Sequence, residues 1–321
     1  MQPSINKNAL AIFNEIIDLR EDLGCKVNEL ENGTTVIDAG ANALGCMELG
    51  RLIGELCMGG LGAVRLGYTH LNEMTLPAVI VGADDPSISI LGSQYSDWNI
   101  KVGEFSAIGS GPARALAFAG SKIYTEIDYQ DNSSVGVVVL ETRTLPSENV
   151  TNHIADKCSI STSDLYCIVV PTASAAGTVQ ISARIIETAI FRLYRLGLSP
   201  DKIRTAHGTA PIAPLVEKDD LAMGRNNDCI HYGGRAHFII RSGQDDDIAS
   251  MVDLVPFSSS PYYCKSFYDL LKASKFEFYM IDSDIFRPAE VTINDIEKIE
   301  VHKAGKMSPQ KLEELLRGTN D

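Results

Sequence analysis

Apolar and polar positions along this chain switch between two periods. From Ala9 to Leu23, apolar residues recur at Ala9, Ile12, Phe13, Ile16, Ile17 and Leu19, the three-and-four spacing that gives a helix one buried face. Glu48 to Cys57 is read as a second helix, closed by Gly59-Gly60. Three short runs rich in valine and isoleucine, Ala78–Gly82, Gly136–Glu141 and Tyr166–Val170, predict strands. Between Cys25–Leu30 and Thr34–Asp38 stands Asn32-Gly33, a dipeptide suited to a two-residue hairpin turn because both positions there need φ > 0. Strands alternating with helices predict an α/β architecture. Two α/β domains are expected, residues 1–148 and 149–321, with the boundary at the polar stretch LPSENVT. The far end of the chain is free to complete the first domain. No internal repeat and no low-complexity segment interrupts the pattern.

The densest pattern is Cys167–Leu193, an apolar strand running through a small-residue turn into a helix. That helix carries Arg184 and Glu187 three positions apart, so both side chains share a face. Ile181, Ile185, Ile186, Ile190 and Leu193 supply the apolar surface around them. A carboxylate beside a guanidinium at a strand-to-helix turn is suited to act as a base governed by its neighbour. The same spacing also describes an ordinary intrahelical salt bridge.

Composition narrows the classes. At 321 residues the chain is long enough for two domains, and 45% hydrophobic with 22% charged residues is ordinary for a globular protein. No apolar run approaches the ~20 residues that span a bilayer, and the acidic, helix-patterned N-terminus lacks the form of a signal peptide. Seven cysteines without a CxxC argue against a disulfide framework and for a cytoplasmic location. A net charge of −14 makes nucleic acid an unfavourable partner. Asp245–Asp247 reads as a solvated loop.

Metal and nucleophile chemistry find little support. His231 and His237 are six apart and share no helical face, and no carboxylate stands beside them at a ligand spacing. His70, His153, His207 and His302 are isolated, and no cysteine has an activating neighbour. Tyr268 and Lys272 have the YxxxK spacing of short-chain nicotinamide oxidoreductases, but no glycine-rich nucleotide fingerprint follows an N-terminal strand. In GSGPARALA, Gly109 and Gly111 permit close backbone approach and Pro112 suits a first helical turn. Free amides there, with Arg114 one turn on, would hold an anion; the alternative is a glycine turn that simply starts a helix.

PTASAAGTVQISARIIETA resembles the corresponding segment of the methenyltetrahydromethanopterin cyclohydrolases, one-carbon enzymes of methanogenic archaea and of some methylotrophic bacteria. ELENGTTVIDAG, CMGGLG, GSGPARALA, IDYQD, APIAP, GRNND and RPAEVTIND are similar to further blocks of that family, in family order, over nearly the whole chain. The resemblance implies two α/β domains with the active-site pocket in the cleft between them, and a trimeric homo-oligomer. It implies a pterin substrate, no cofactor, no metal, no nucleic acid and no membrane. It makes Glu187 and Arg184 the catalytic pair and puts Gly109, Ser110, Gly111, Arg114, Asn227 and Asp228 on the substrate side. One position departs. A lysine is associated with the residue after LGSQ in archaeal relatives, whereas Gln94 is followed here by Tyr95. Tyr95, which donates a hydrogen bond but carries no charge, is expected with Gln94 to orient the attacking water, and points to a bacterial-type branch. A non-catalytic pterin carrier is the alternative, with the oxidoreductase behind it.

Overall fold

The computed structural model describes residues 2–318. In chain order the elements are α1 (Ile5–Asp18), α2 (Arg20–Leu23), β1 (Lys26–Glu29), β2 (Thr35–Asp38), α3 (Met47–Cys57), β3 (Gly62–Leu71) and β4 (Met74–Ala83). A π-helical segment, Ser87–Gln94, precedes β5 (Trp98–Val102), β6 (Phe105–Ser110), α4 (Arg114–Ala117), α5 (Lys122–Glu126), β7 (Gly136–Glu141) and α6 (Glu148–Cys158). There follow β8 (Leu165–Val169), α7 (Ala175–Ser182), α8 (Ile185–Arg195), β9 (Ile203–Pro211), α9 (Asp219–Gly233) and β10 (Arg235–Ile240). The chain ends through α10 (Ile248–Asp253), α11 (Phe267–Ala273), β11 (Glu290–Asp295), β12 (Glu300–Gly305) and α12 (Pro309–Arg317).

These elements form two compact α/β units, one of residues up to Ala63 together with Ser87–Gln180, the other of Val64–Pro86 together with residues from Ile181 onward. The division differs from the expected cut at residue 148. LPSENVT is no linker: it leads from β7 into α6, which returns the chain to β8, the parallel neighbour of β7. A cut there would separate strands that are hydrogen-bonded to each other. Conversely, β4 pairs with β9, so the 64–86 hairpin belongs to the later sheet.

In the first unit the strand order is β1-β2-β8-β7-β6-β5, with β2, β8 and β7 parallel. The β1–β2 hairpin forms in the register Lys26↔Asp38, but the expected two-residue turn is instead a three-residue loop, residues 31–33. It is closed by Leu30 N donating to Thr34 O at 3.0 Å, and of these three only Gly33 has positive φ, at +86°. Val137 and Val139 face a layer built on Phe13, Ile16, Leu49, Ile53 and Ala176, from α1, α3 and α7. Val138 and Leu140 face the other side, against Val150, Ile154 and Cys158 of α6. Helices therefore cover both faces, and the parallel strands read as unbroken apolar runs. Beyond β2, the Asp38 carboxylate accepts the amides of Gly40, Ala41 and Asn42 at 3.0, 2.7 and 2.9 Å. Burial alone would raise its pKa, but those amides together hold it below the usual range. The first helix starts earlier than its apolar stripe suggests. Ser4 caps it by accepting from the Lys7 amide, and it breaks at Leu19.

In the second unit the order is β12-β11-β10-β9-β4-β3, antiparallel throughout the pairs described except β10–β11. Its strands alternate: Ala236, Phe238 and Ile240 are buried while Arg235, His237 and Ile239 are not. That period of two marks a sheet with one packed face. Helix α8 lies on β9 and β10. It comes so close that a Cβ at Gly208 would stand 2.6 Å from Ile185 Cγ2, so glycine is required there.

Candidate active site

The helix expected around Arg184 and Glu187 is in fact two. After Ser182, whose hydroxyl donates to the Pro211 carbonyl at 3.1 Å, the chain turns through Ala183 and Arg184 before α8 begins. Arg184, at φ −82° and ψ 8°, occupies the N-cap position, in the sparsely populated region between helix and strand where active-site residues are often found. Its carbonyl accepts from Thr188 N at 3.1 Å. Glu187 falls in the first turn of α8, where exposed helix amides and the macrodipole favour a negative charge. The Arg184 Nη1 donates to Glu187 Oε2 at 2.7 Å, with the two side chains 10% and 8% exposed. Ile185, Ile186, Ile190 and Leu193 are fully buried and fix the helix beneath the pair. This is a nearly buried, charge-assisted contact on a rigid element, unlike the exposed pairs that contribute little.

Gln94 ends the π-helical segment and Tyr95 follows it, both in the first unit, with Tyr95 N donating to Ile90 O at 2.9 Å. Every residue of the segment from Ile88 to Gln94 is buried. Side chains read its carbonyls: Tyr124 Oη donates to Gly92 O at 2.7 Å and Arg114 Nη1 to Leu91 O at 3.3 Å. Ser93 Oγ donates to Cys57 O at 2.6 Å. Such wide turns are uncommon and concentrate at functional sites. The chain carries no periodicity that announces one.

The structure brings GSGPARALA to this same segment. Arg114 is fully buried, donates Nε to Asp97 at 2.5 Å, and stands 5.2 Å from the centre of the Tyr95 ring. The amides of Gly111, Ala113, Arg114 and Ala115 donate to Ser93, Val137, Gly111 and Pro112. Gly109 lies inside β6, where a Cβ would meet Ile100 Cδ1 at 2.7 Å, and Ser110 is the last residue of that strand. The segment is thus a buried joint whose amides serve the chain itself, and α4 is only four residues long. The expected open anion cradle is not what the backbone forms; the geometry favours a supporting role for Arg114.

Asn227 and Asp228 sit on α9, in the same unit as Arg184 and Glu187. Asn227 Nδ2 donates to Met223 O at 2.9 Å, and Asp228 Oδ1 accepts from Phe267 N at 2.9 Å, which holds the start of α11. Burial pushes the Asp228 carboxyl up to about 8. One turn on, His231 stacks on Phe257 with centroids 4.2 Å apart. Neither of its ring nitrogens has a hydrogen-bond partner among the described residues, and burial depresses its pKa to about 3. Asp245–Asp247 lie in a loop with Asp245 and Asp247 exposed, as read from the sequence. The half-buried Asp246 accepts from Lys202 Nζ at 2.6 Å, and Asp247 accepts from Ser250 N at 3.1 Å. Among the described residues no three His, Cys, Asp or Glu side chains are grouped to hold a metal ion. No described helix is long and apolar enough to cross a membrane. Sequence reasoning missed Glu141, the last residue of β7, whose carboxylate accepts from Thr172 Oγ1 at 2.6 Å and faces Gln180 Nε2 at 3.5 Å. A single acidic residue ending the apolar run GVVVL was the available signal.

A two-unit α/β protein with a guanidinium-paired carboxylate at a helix start is equipped for acid–base chemistry. The model of the cyclohydrolase (MCH) family matches residues 4–315, and the chain belongs to that family. It is 43% identical over 317 residues to the methenyltetrahydromethanopterin cyclohydrolase of Methanothermobacter marburgensis, covering 98% of each chain. To the enzyme of that name from Methanocaldococcus jannaschii it is 40% identical over 319 residues, 98% of this chain and 99% of the other. To that of Methanococcus maripaludis it is 41% identical over 296 residues, 91% and 92%. The match leaves the oxidoreductase reading without support. Tyr268 and Lys272 lie on α11, with the Tyr268 ring 6.1 Å from that of Phe276.

Proposed function

We propose that the protein reversibly hydrolyses the methenyl bridge of methenyl-tetrahydromethanopterin to the 5-formyl compound, in one-carbon metabolism. The observation that carries this is the buried 2.7 Å contact of Arg184 with Glu187 in a chain of that family. The methenyl bridge is an amidinium, so its carbon is already electrophilic and the reaction needs no metal and no cofactor. Water adds to that carbon and gives its proton to the Glu187 carboxylate, leaving a neutral carbinolamine. Collapse puts a proton on the departing nitrogen and removes one from the new hydroxyl, and one carboxylate serves both transfers. Across the whole reaction one water is consumed and one proton released. Arg184 holds the carboxylate in place and balances its charge. Gln94 and Tyr95 are assigned to orienting the water. Gly109, Ser110, Gly111, Arg114, Asn227 and Asp228 are assigned to shaping the substrate's surroundings.

The protein is further assigned to the cytoplasm, as a homotrimer acting on a small pterin without nucleic acid or membrane. The odd number of cysteines supports the first assignment. The half-exposed face of the second sheet, with Ile80 49% exposed, supports association. Light scattering checks the subunit number. Loss of the methenyl chromophore's absorbance with purified protein tests the activity, with a folate-type methenyl substrate as the comparison. No turnover of either would overturn the assignment.

A further inference from the structure

We infer that Gly208 and Gly234 are positioning residues for the reaction proposed above, on which this inference rests. Together they form a seat for Ile185 that sets Arg184 against Glu187. Ala206, Gly208 and Ala210 alternate onto the buried face of β9. Opposite Gly208 stand Val81 of β4 and Ala236 of β10. Between Ala206 and Ala210 that face of β9 carries nothing larger than a methyl group, so the start of α8 can come down onto the strand.

Ile185, fully buried, fills the space. A Cβ at Gly208 would lie 2.6 Å from Ile185 Cγ2 and 3.2 Å from its Cγ1, and one at Gly234 would lie 2.6 Å from its Cδ1. The two glycines therefore meet every carbon of that side chain beyond its Cβ. At Gly234 the Ile230 carbonyl, also 2.6 Å away, opposes a Cβ as well. At Gly208 the nearest obstacles are side chains of α8 alone, the third being Ile186 Cγ1 at 3.1 Å. A methyl group there would push the helix start away from the sheet.

The seat lies inside the turn that carries the 2.7 Å contact of Arg184 with Glu187. Arg184 is held out of helical conformation, at φ −82° and ψ 8°, by anchors on either side of it. Before it, Ser182 Oγ donates to Pro211 O, the end of β9, at 3.1 Å; after it, Ile185 is seated on Gly208. Thr188 closes the turn, its N donating to Arg184 O at 3.1 Å and its Oγ1 to Ile185 O at 3.0 Å. With one anchor fixed, displacing the other changes how Arg184 meets Glu187. Misplacing a reacting group by about 1 Å costs on the order of 10²-fold in rate.

Turnover of the methenyl substrate and hydrogen exchange of the Thr188 amide are measured for wild type, Gly208→Ala, Ile185→Ala, their double variant and Gly82→Ala. Gly82 is the control: a Cβ there would meet the exposed His207 imidazole, at 3.0 Å, on the other face of the sheet. Gly208→Ala is expected to lower kcat by about 10- to 100-fold with KM within about threefold. Ile185→Ala, which empties the seat, should lower kcat by about tenfold. The double variant refills part of the seat, so its kcat should exceed that of either single variant, a coupling that independent packing defects lack. Thr188 exchange should quicken by about tenfold or more in Gly208→Ala and stay at the wild-type rate in Gly82→Ala. Wild-type kcat in folded Gly208→Ala would overturn the inference. So would an equal kcat loss in Gly82→Ala, or a double variant slower than both singles. Should Gly208→Ala fail to fold, wild-type kcat in Ile185→Ala would overturn it. A wild type that turns over no methenyl substrate, with Thr188 exchange quickened by Gly208→Ala, would instead defeat the proposed reaction and leave the seat standing.

Discussion

The two sheets bury their residues in different ways. Strand β7 is buried at Gly136, Val137, Val138, Val139 and Leu140 in succession, whereas β11 alternates, with Val291, Ile293 and Asp295 buried and their neighbours half-exposed. The first unit packs mostly aliphatic layers on both faces. The second packs one face, and its end layer is aromatic, with Tyr232, Phe257 and Phe267 buried. Chemistry-bearing residues appear in each where an element begins or ends. In the first unit these are Glu141 at a strand's carboxyl end and Gln94 at the end of the π-helical segment; in the second, Arg184 and Glu187 at a helix start. The frames differ, and the common rule is that polar side chains are tolerated where backbone polar groups already need partners.

The sharpest break of this rule would come from the helix start. Glu187→Gln keeps shape and hydrogen bonding but accepts no proton, so turnover should fall by about 10²–10⁴-fold with binding largely kept. Near-normal turnover, measured by loss of the methenyl absorbance, would reduce the pair to scaffold.

The two burial patterns make an unequal pair of expectations. Ile168 of β8 is fully buried beneath the α1–α3 layer, so Ile168→Ala should cost about 2–5 kcal/mol in urea unfolding. Ile239 of β10 faces the less covered side of its sheet, and Ile239→Ala should cost about 1 kcal/mol or less. Equal losses would show that both faces of the second sheet are packed in the working molecule.

Next in size is the end of the π-helical segment. If the Tyr95 hydroxyl orients water, Tyr95→Phe should lose about 1–3 kcal/mol of transition-state stabilisation, read as kcat/KM. Tyr95→Lys should be tolerated better, since an ammonium also donates. The ring's contact with Arg114 survives the change to phenylalanine, so full activity in Tyr95→Phe would leave Tyr95 a packing residue.

Much of this is legible in the chain. The bounds of β7 and the β1–β2 hairpin follow from the sequence because valine runs and Asn-Gly act through nearest neighbours. The Arg184–Glu187 pair is legible for the same reason: its members stand three positions apart. What escapes depends on contacts distant in sequence. The unit boundary turns on β4 pairing with β9 and β7 with β8, neither of which a polar loop reveals. Arg114 reads as a ligand anchor because its partners Asp97 and Leu91 lie 17 and 23 residues away. Glu141 needs Thr172, 31 residues on, before it becomes more than a strand's last residue. The break between α7 and α8 is hidden because its residues are good helix formers, and packing on the sheet decides it.

An effect that is small near neutral pH and grows with acid lies in the aromatic layer of the second unit. His231 stacks on Phe257, its ring nitrogens lack partners among the described residues, and burial holds its pKa near 3 against an ordinary 6.5. The folded protein therefore keeps the imidazole neutral while the unfolded chain protonates it, so its contribution is full above about pH 6.5 and is lost as the pH falls toward 3. The loss is on the order of 1 kcal/mol at pH 6 and about twice that at pH 5. Asp228, one turn away, works the other way. Its carboxyl is held near 8 by burial, so the folded state binds a proton that the unfolded chain releases, and stability falls as the pH rises from about 4 to 8. The two slopes oppose one another in wild type and conceal each other. His231→Phe removes only the first and keeps the stack. Relative to wild type at each pH, the variant should gain stability progressively below pH 6.5 and show no such pH-linked gain at pH 8, as read from urea midpoints with m unchanged. A difference that stays constant with pH would mean that His231 finds a partner in solution and that the aromatic layer is as open to water as the sheet's other face.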